Sequence, residues 1–369
     1  MRKQNIVAFV AIVGMLHYPA KSYAGAGTEG ASFLDIPVGA GPAALGSAYT
    51  ALATNAYAPV WNPAGLGMLS GNELAGQHLS YLESMHYEYM SFVHPFDREH
   101  GSDVHRGVGV SVQYLGSGDI AGTDGTGTPT GDFSSYYASY NLSYGQTLTD
   151  KLALGVTGKM IRAKIDDVSA SAYAADLAGL YKMNEKVQVG ASVVNVGSQL
   201  KFISEGDNLP MAFKLGGAYQ PTSHYLMTAE GVYERNGLAS FHTGGQWRPL
   251  EAVSLRVGYK TDTLKGLSPL AGLTAGLGLH FWGQEFAYAW APYGDLGDAQ
   301  YFSLLVRFGA EEEQKRNLIQ YQTIKKHRTV RQDHRKDDME PEYQQLMQLL
   351  SDDDSHLARS SSDSSTSDR

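Results

Sequence analysis

The sequence predicts an all-β protein: a transmembrane, antiparallel, up-and-down β-barrel of about 14 strands, with an N-terminal hatch segment in its lumen. Three observations support this prediction. The chain begins like an exported protein, residues 72–308 alternate apolar and polar side chains, and short connections alternate with longer ones. The 369 residues carry a formal net charge of -9 and include no cysteine, which excludes disulfides and thiolate sites.

Residues 1–24 have the pattern of a signal peptide. Arg2 and Lys3 precede an apolar stretch, and the segment ends in small residues before Gly25. After Ala24 no stretch approaches the roughly 18 to 20 consecutive apolar residues of a membrane-spanning helix. The sequence therefore predicts export without a helical anchor, either as a soluble secreted protein or as an outer-membrane barrel.

Residues 25–71 are predicted to form the hatch, a compact plug. Residues 30–69 are rich in Gly and Ala, and Pro63 disfavours a regular helix through Asn62. A barrel of fourteen strands has room for more than its own side chains, so a preceding segment can fill it. The local signals for a turn are Asn62, which can bond its own backbone, Pro63, which fixes φ, and Gly65, which tolerates conformations that other residues avoid.

Residues 72–308 alternate as strands with one apolar and one polar face. Val108, Val110, Val112 and Tyr114, for example, share one side of a strand. The even strand number predicts that both termini lie on the periplasmic side. The fourteen predicted strands are 73–81, 86–96, 105–116, 134–146, 152–163, 170–183, 187–198, 209–220, 224–235, 239–248, 252–261, 270–282, 285–292 and 299–308.

The connections separate a barrel from a soluble β-sandwich, which would show the same alternation. Those after strands 4, 6, 8, 10 and 12 are short, whereas most of the others are longer, and the longest is 117–133. This asymmetry is typical of outer-membrane barrels, although the connection after strand 2 departs from it. Aromatic residues near strand ends match interfacial girdles or ordinary cross-strand packing: Tyr87, Tyr89, Trp247, Phe281, Trp282 and Trp290.

Charged residues on the polar strand faces are predicted to point into the lumen, since ionisable side chains are costly against lipid. We expect them to pair across the lumen and hold the hatch, or to line a solute pathway. They are Lys159, Asp176, Lys214, Glu230, Arg256, Lys260 and Arg307.

Residues 309–369 are predicted to form a charged periplasmic extension that ends in a disordered Ser/Asp tail. The alternative is docking of this extension to a periplasmic partner or an acidic surface. Gly39–Ala44 formally matches a nucleotide-binding fingerprint, but no βαβ pattern follows it. No metal-site spacing or hydrolase motif is present, so the sequence indicates neither an enzyme nor a cofactor, a metal site or a nucleic-acid partner.

The stretch GASFLDIPVGAGPAALGSAYTALATNAYAPVWNPAGL, residues 30–66, resembles the PorV/PorQ family, a branch of the FadL-like, long-chain fatty-acid transporter superfamily of outer-membrane barrels. Pro42 and the pair Thr54–Asn55 depart from the family pattern, which usually has charged residues there. The resemblance implies an N-terminal hatch inside the barrel. The hatch motif would begin at Trp61, and its fixed turn would consist of Asn62, Pro63, Ala64 and Gly65.

This resemblance implies transport of hydrophobic small molecules past the hatch. The alternatives are a shuttle that handles exported cargo with the type IX secretion machinery, and a closed structural barrel. The expected partners are outer-membrane lipid and the barrel assembly machinery, which reads a terminal aromatic such as Phe308, together with a hydrophobic compound or secretion-system components.

Overall fold

Fourteen strands between Asn72 and Phe308 pair into a closed antiparallel barrel in the computed structural model. The structure describes residues 29–81, 85–96, 104–262, 269–293 and 297–308. The signal peptide predicted at 1–24 and the extension predicted at 309–369 lie outside the described residues. The fold class predicted from the sequence is confirmed.

Each barrel strand pairs with the strands before and after it, apart from two places. β7 pairs with β10 across a small separate sheet of β8 and β9, and β1 pairs with β16 to close the ring, from Asn72↔Phe308 to Ser80↔Gln300. The strands are β1 Asn72–Ser80, β2 His86–Phe96, β3 Arg106–Thr123, β4 Pro129–Thr147, β5 Leu152–Ile165, β6 Val168–Lys182, β7 Val187–Gly197, β8 Leu200–Lys201, β9 Gly206–Asp207, β10 Ala212–Thr222, β11 Tyr225–Glu234, β12 Ala239–Leu250, β13 Val253–Lys260, β14 Leu273–Phe281, β15 Gln284–Pro292 and β16 Asp298–Phe308.

The apolar side chains of the strands face outward, as expected for a wall against lipid. Met90, Leu142 and Tyr173 are all more than 60 % exposed, whereas inward-facing polar residues such as Gln113 and Thr157 are buried. This inversion of the usual soluble pattern is what a bilayer requires.

The prediction that residues 117–133 form a long loop is wrong, because most of these residues belong to strands. β3 continues to Thr123 and β4 begins at Pro129, and the two pair through this region after a register shift near Gly116. The tip is a tight turn in which the Asp124 carboxylate accepts hydrogen bonds from the backbone N–H groups of Thr126 and Thr128, at 2.8 and 2.9 Å. The two strands therefore form an exposed hairpin arm, defined here as residues 117–135.

Two further expectations need correction. The connection from β5 to β6 is a turn of two residues, Asp166 and Asp167, so the difference between the two ends of the barrel is smaller than predicted. Tyr87 and Tyr89 are buried on the inner face and do not belong to an aromatic girdle, whereas Trp247 and Phe281 face outward and are exposed.

The N-terminal segment, residues 30–69, consists of short helical turns. A 3-10 helix at Ser32–Asp35 is followed by α1 at Ala40–Ala44, α2 at Ala58–Trp61 and a second 3-10 helix at Pro63–Met68. Nearly all of these residues are buried. A further 3-10 helix, Pro269–Gly272, precedes β14. None of the helices in the described parts of the chain is long and apolar enough to cross a membrane.

Candidate functional site

The N-terminal segment runs from one end of the barrel to the other. The Gly30 amide donates to the Asn208 carbonyl at 2.9 Å, in the connection between β7 and β10, whereas β1 begins at Asn72 beside the end of β16. We call the first end, which carries the connections 198–211 and 261–272, the long-connection end, and the second the short-turn end. Glu29, the first described residue, thus belongs to the long-connection end.

Polar side chains of the wall bind the backbone of this segment at many points around the ring. An N–H group enclosed by the barrel is costly if it has no partner, so these acceptors fix where the segment sits. The Gly39 amide donates to Gln77 Oε1. Four other backbone amides of the segment donate hydrogen bonds to wall side chains: Ala40 to Ser303 Oγ (3.1 Å), Gly46 to Thr274 Oγ1 (3.1 Å), Thr50 to Glu230 Oε2 (2.8 Å) and Ala56 to Glu73 Oε2 (2.8 Å).

Wall hydroxyls donate to the carbonyls of the same segment. Thr228 Oγ1 binds the Ala48 carbonyl at 2.8 Å, and Tyr89 binds the Ala56 carbonyl at 2.9 Å. On the opposite wall, Thr157 Oγ1 binds the Pro59 carbonyl at 3.0 Å. Strands on several sides of the ring therefore supply both acceptors and donors to the backbone of the segment.

Inward-facing glycines let the segment lie directly on the wall. A Cβ at Gly145 or Gly155 would overlap the backbone at Pro63 and Ala64, and a Cβ at Gly258 would overlap Gly46. Any larger residue at these strand positions would push the segment away from the wall.

Trp61 anchors the predicted motif. It is buried, and its indole N–H donates to the Val38 carbonyl at 2.9 Å. The Tyr49 ring meets it edge-on with 5.8 Å between centroids, and the Lys214 ammonium lies 5.1 Å from the indole centroid. Lys214, a predicted lumen charge, therefore faces the segment.

Asn62 joins three parts of the molecule. Its Oδ1 accepts from the Ala64 amide at 3.1 Å, and its Nδ2 donates to the carbonyls of Thr50, at 2.9 Å, and Gly179, at 3.1 Å. α2 ends just before it, and Pro63 begins the next helical turn.

Gly65 is needed for a reason that differs from the prediction. A Cβ there would overlap the Ala53 carbonyl, and Gly65 does not have a positive φ. Close packing, and not a special conformation, requires glycine at this position.

The predicted lumen charges pair mostly within the wall. Lys159 and Asp176 form a buried ion pair at 2.8 Å between neighbouring strands, and Asn195, in the left-handed region at a bulge of β7, bonds both. Arg256 reaches over β14 to Glu285 at 2.6 Å, and Lys260 lies 3.6 Å from Asp262. Glu230 contacts the segment directly, and Arg307 does so through Glu73, at 3.1 Å.

Glu73, Gln77, Thr274, Glu285 and Ser303 were not singled out from the sequence. All are polar residues at inward-facing strand positions, so the alternation that located the other lumen residues could have found them.

The two ends of the segment differ in character. At the short-turn end a pocket of about 380 Å³ is polar, with Glu73, Arg256, Glu285 and Arg307 in its lining. At the other end Phe33 packs on Tyr137, 5.7 Å between centroids, and partly buried apolar residues adjoin the core: Tyr81, Leu115, Tyr137, Phe202 and Tyr293.

Asp35, on the segment, keeps accessible surface although the barrel surrounds it. Removal from bulk water raises the pKa of Asp35 to about 7, while the nearby Lys214 opposes this rise.

A closed ring of antiparallel strands with an apolar exterior and a polar interior defines a transmembrane β-barrel of the outer-membrane class. A family model described as "Type IX secretion system protein PorV" matches residues 21–228. The chain belongs to this PorV family and is an outer-membrane protein.

Solved structures with the same fold include two toluene transporters. TodX of Pseudomonas putida is 15% identical, with a TM-score of 0.50 over 73% of this chain and 96% of that one. TbuX of Ralstonia pickettii is 14% identical, with a TM-score of 0.51 over 74% of this chain and 98% of that one. A comparison with curated proteins gives no significant match.

Proposed function

We propose that this protein transports hydrophobic small molecules across the outer membrane, and that residues 25–71 are the hatch that closes its barrel. The observation that carries the proposal is the position of residues 30–69 inside the barrel. They bind the wall through separate polar contacts on several strands. Each such hydrogen bond contributes only about 0.5–1.5 kcal/mol net. A segment held this way can rearrange in parts while the barrel stays closed.

The apolar residues near Phe33 and Tyr137 support a hydrophobic substrate that enters from the long-connection end. The pocket at the short-turn end is polar, so an apolar molecule would not rest there. In this proposal the long-connection end faces outward, which places Glu29 on the outer side of the barrel, whereas Phe308, at the short-turn end, and residues 309–369 are periplasmic. TodX and TbuX are toluene transporters, which makes toluene a suitable first probe.

A disulfide lock tests whether the hatch must move. A Cβ built at Gly30 lies 3.2 Å from the Leu200 Cβ, close to the roughly 3.5–4.5 Å of disulfides, and the chain has no other cysteine. We expect cells with Gly30→Cys/Leu200→Cys to take up labelled toluene several-fold more slowly when oxidised than when reduced. The control with Leu200→Cys alone should not respond. Equal uptake in both redox states, or uptake unchanged by deletion of the gene, would contradict the proposal.

The second candidate is a protein-handling role, favoured by the description of the matched family as a type IX secretion system protein. The barrel would then handle exported cargo, and residues 309–369 would meet periplasmic partners. Deletion of the gene should in that case remove cargo from the cell surface and leave toluene uptake unchanged. Purification with only assembly factors, and no cargo or secretion component, would argue against it. If the protein is a closed structural barrel, deletion of the gene should change neither the cargo at the cell surface nor the uptake of toluene.

A further inference from the structure

The connection between β7 and β10 contains a small sheet, and both ends of this connection are fixed to the wall. The Ser198 amide donates to the Tyr173 carbonyl of β6 at 2.9 Å. At the other end, the Pro210 carbonyl accepts from Asn195 Nδ2 at 2.9 Å. Residues 199–209, which lie between these two points and include β8 and β9, are called the β8–β9 loop here.

The β8–β9 loop contacts the start of the N-terminal segment directly. The Gly30 amide bonds to this loop, and a Cβ at Gly30 would lie only 3.0 Å from the Asp207 Cβ and 3.2 Å from the Leu200 Cβ. Leu200 and Leu209 are almost completely buried and belong to the same apolar core as Phe33. The loop and the start of the segment therefore share both a hydrogen bond and buried apolar surface.

The segment has two parts that are held by different elements. Among the residues that the structure describes, residues 30–38 form no hydrogen bond with a barrel strand. Gly30 bonds to the β8–β9 loop, and the Val38 carbonyl accepts from Trp61 of the same segment. From Gly39 onward, by contrast, wall side chains on several strands bind the backbone.

The first part also has open space beside it and weak links to the wall. Ser32 and Asp35 keep exposed surface, although Phe33 between them is buried. The links to the wall are the ring contact of Phe33 with Tyr137, at 5.7 Å, and the attraction of Asp35 to Lys214. Neither link fixes a direction as a hydrogen bond does, so the first part can shift without leaving a backbone group of the wall unpaired.

We infer that the β8–β9 loop is the latch of the hatch: it holds residues 30–38 in the bore, and the hatch opens at this end first. Residues 39–69 stay in position longer, because polar contacts on several strands must break before they leave the wall. The effect of the latch on uptake rests on the proposed hatch role of residues 25–71, whereas the contact itself does not.

Hydrogen exchange of the full-length protein in lipid vesicles tests this latch. In Leu200→Ala, which removes apolar contact from the loop, residues 31–38 should exchange at least tenfold faster, while residues 56–66 should change less than twofold. The matched control is Leu180→Ala, since Leu180 is equally buried but packs with Ala64. It should accelerate residues 56–66 and leave residues 31–38 unchanged. Unchanged exchange of residues 31–38 in Leu200→Ala, or equal acceleration of both parts, would overturn the inference.

A second substitution acts from the other side of the contact. Gly30→Val would place its Cβ against two residues of the β8–β9 loop, and such overpacking forces the two backbones apart. We expect at least tenfold faster exchange both in residues 31–38 and in the loop. Gly217→Val, at a position with open space, should change neither. Circular dichroism checks that each variant folds, and a loop that does not respond to Gly30→Val would overturn the inference.

Toluene uptake by the same variants separates the latch from the transport role. Cells with Leu200→Ala should take up labelled toluene at least twofold faster, because the first part of the hatch is released more often. Faster exchange with unchanged uptake would support the contact and contradict the role of residues 25–71 as a hatch. Unchanged exchange would overturn the latch, whatever the uptake.

Discussion

Gly65 is the residue with the least room in the N-terminal segment, since any Cβ would overlap the Ala53 carbonyl. We expect Gly65→Ala to lower the free energy of unfolding by about 3 kcal/mol, because overpacking of a rigid contact forces the backbone to shift. Denaturant unfolding in lipid vesicles measures this. Gly217→Ala, on an outward face with open space, should change the value by less than about 0.5 kcal/mol. Equal effects would mean that residues 53 and 65 do not pack as described.

The Lys159–Asp176 pair is buried, so removal of one partner leaves an uncompensated charge. We expect Asp176→Ala to lower the free energy of unfolding by about 3–5 kcal/mol. Lys159→Met/Asp176→Leu, which replaces both charges by apolar groups, should recover most of that loss. The same denaturant series measures both variants. A cost below about 1 kcal/mol for the single substitution would contradict the burial of this pair.

Asp35 makes the stability of the N-terminal segment in its position inside the barrel depend on pH. The pKa of Asp35 is about 7 when the segment lies inside the barrel and 3.8 in water. The segment inside the barrel therefore holds the proton more tightly. The stabilisation that protonated Asp35 gives to the segment in its position inside the barrel is fully present below about pH 4. It is lost as the pH rises towards 7. We expect hydrogen exchange of residues 32–50, corrected for intrinsic rates, to show less protection at pH 8 than at pH 5.

In Asp35→Asn this difference should disappear, because the amide does not titrate. Protection that is independent of pH in the unmodified protein, or that increases with pH, would contradict the enclosed position of Asp35.

The direction in which most strand residues point could be predicted, because strict alternation assigns each one to a face. This located Lys159, Asp176 and Glu230 on the inner face. The same rule places Tyr87 and Tyr89 on the inner face, where they are buried, whereas aromatic identity alone would place them in a girdle. Which pairs form could not be predicted, since Arg256 and Glu285 meet only because Gly278 leaves space between them.

At the scale of elements, the hairpin arm, residues 117–135, extends beyond the paired wall. β2 pairs with β3 up to Gly116, and β5 pairs with β4 from Ser135. We expect replacement of residues 119–134 by Asn-Gly to change the free energy of unfolding by less than about 1 kcal/mol, because exposed loop tips tolerate such changes. Denaturant unfolding again provides the measurement.

Deletion of Val112 alone is the contrasting control. It moves every later residue of β3 to the opposite face, so it should prevent a stable barrel from forming. A large loss of stability on removal of the arm would contradict its position outside the wall.

Strands were recognised from the sequence where the wall has two distinct faces, since only there does burial impose alternation. The arm is exposed on both faces, so its Gly, Thr and Asp residues show no alternation although they pair in a ladder. β8 and β9 were missed for a related reason: strands of two residues are too short to show a period.

At the scale of the whole molecule, the strand number and closure could be predicted from the regular succession of ten-residue segments. The path of the N-terminal segment could not. It depends on a match between segment backbone and wall glycines such as Gly145 and Gly258, which are far apart in sequence. The stretch at residues 30–66 indicated the family, and the family match at residues 21–228 confirms it.

Electrical conductance of the purified protein in planar bilayers tests the central claim most directly, that the N-terminal segment fills the bore. The full-length chain should show almost no current, and a variant without residues 30–69, folded by circular dichroism, should show stable open pores. Equal conductance of the two proteins, whether both open or both closed, would contradict this account.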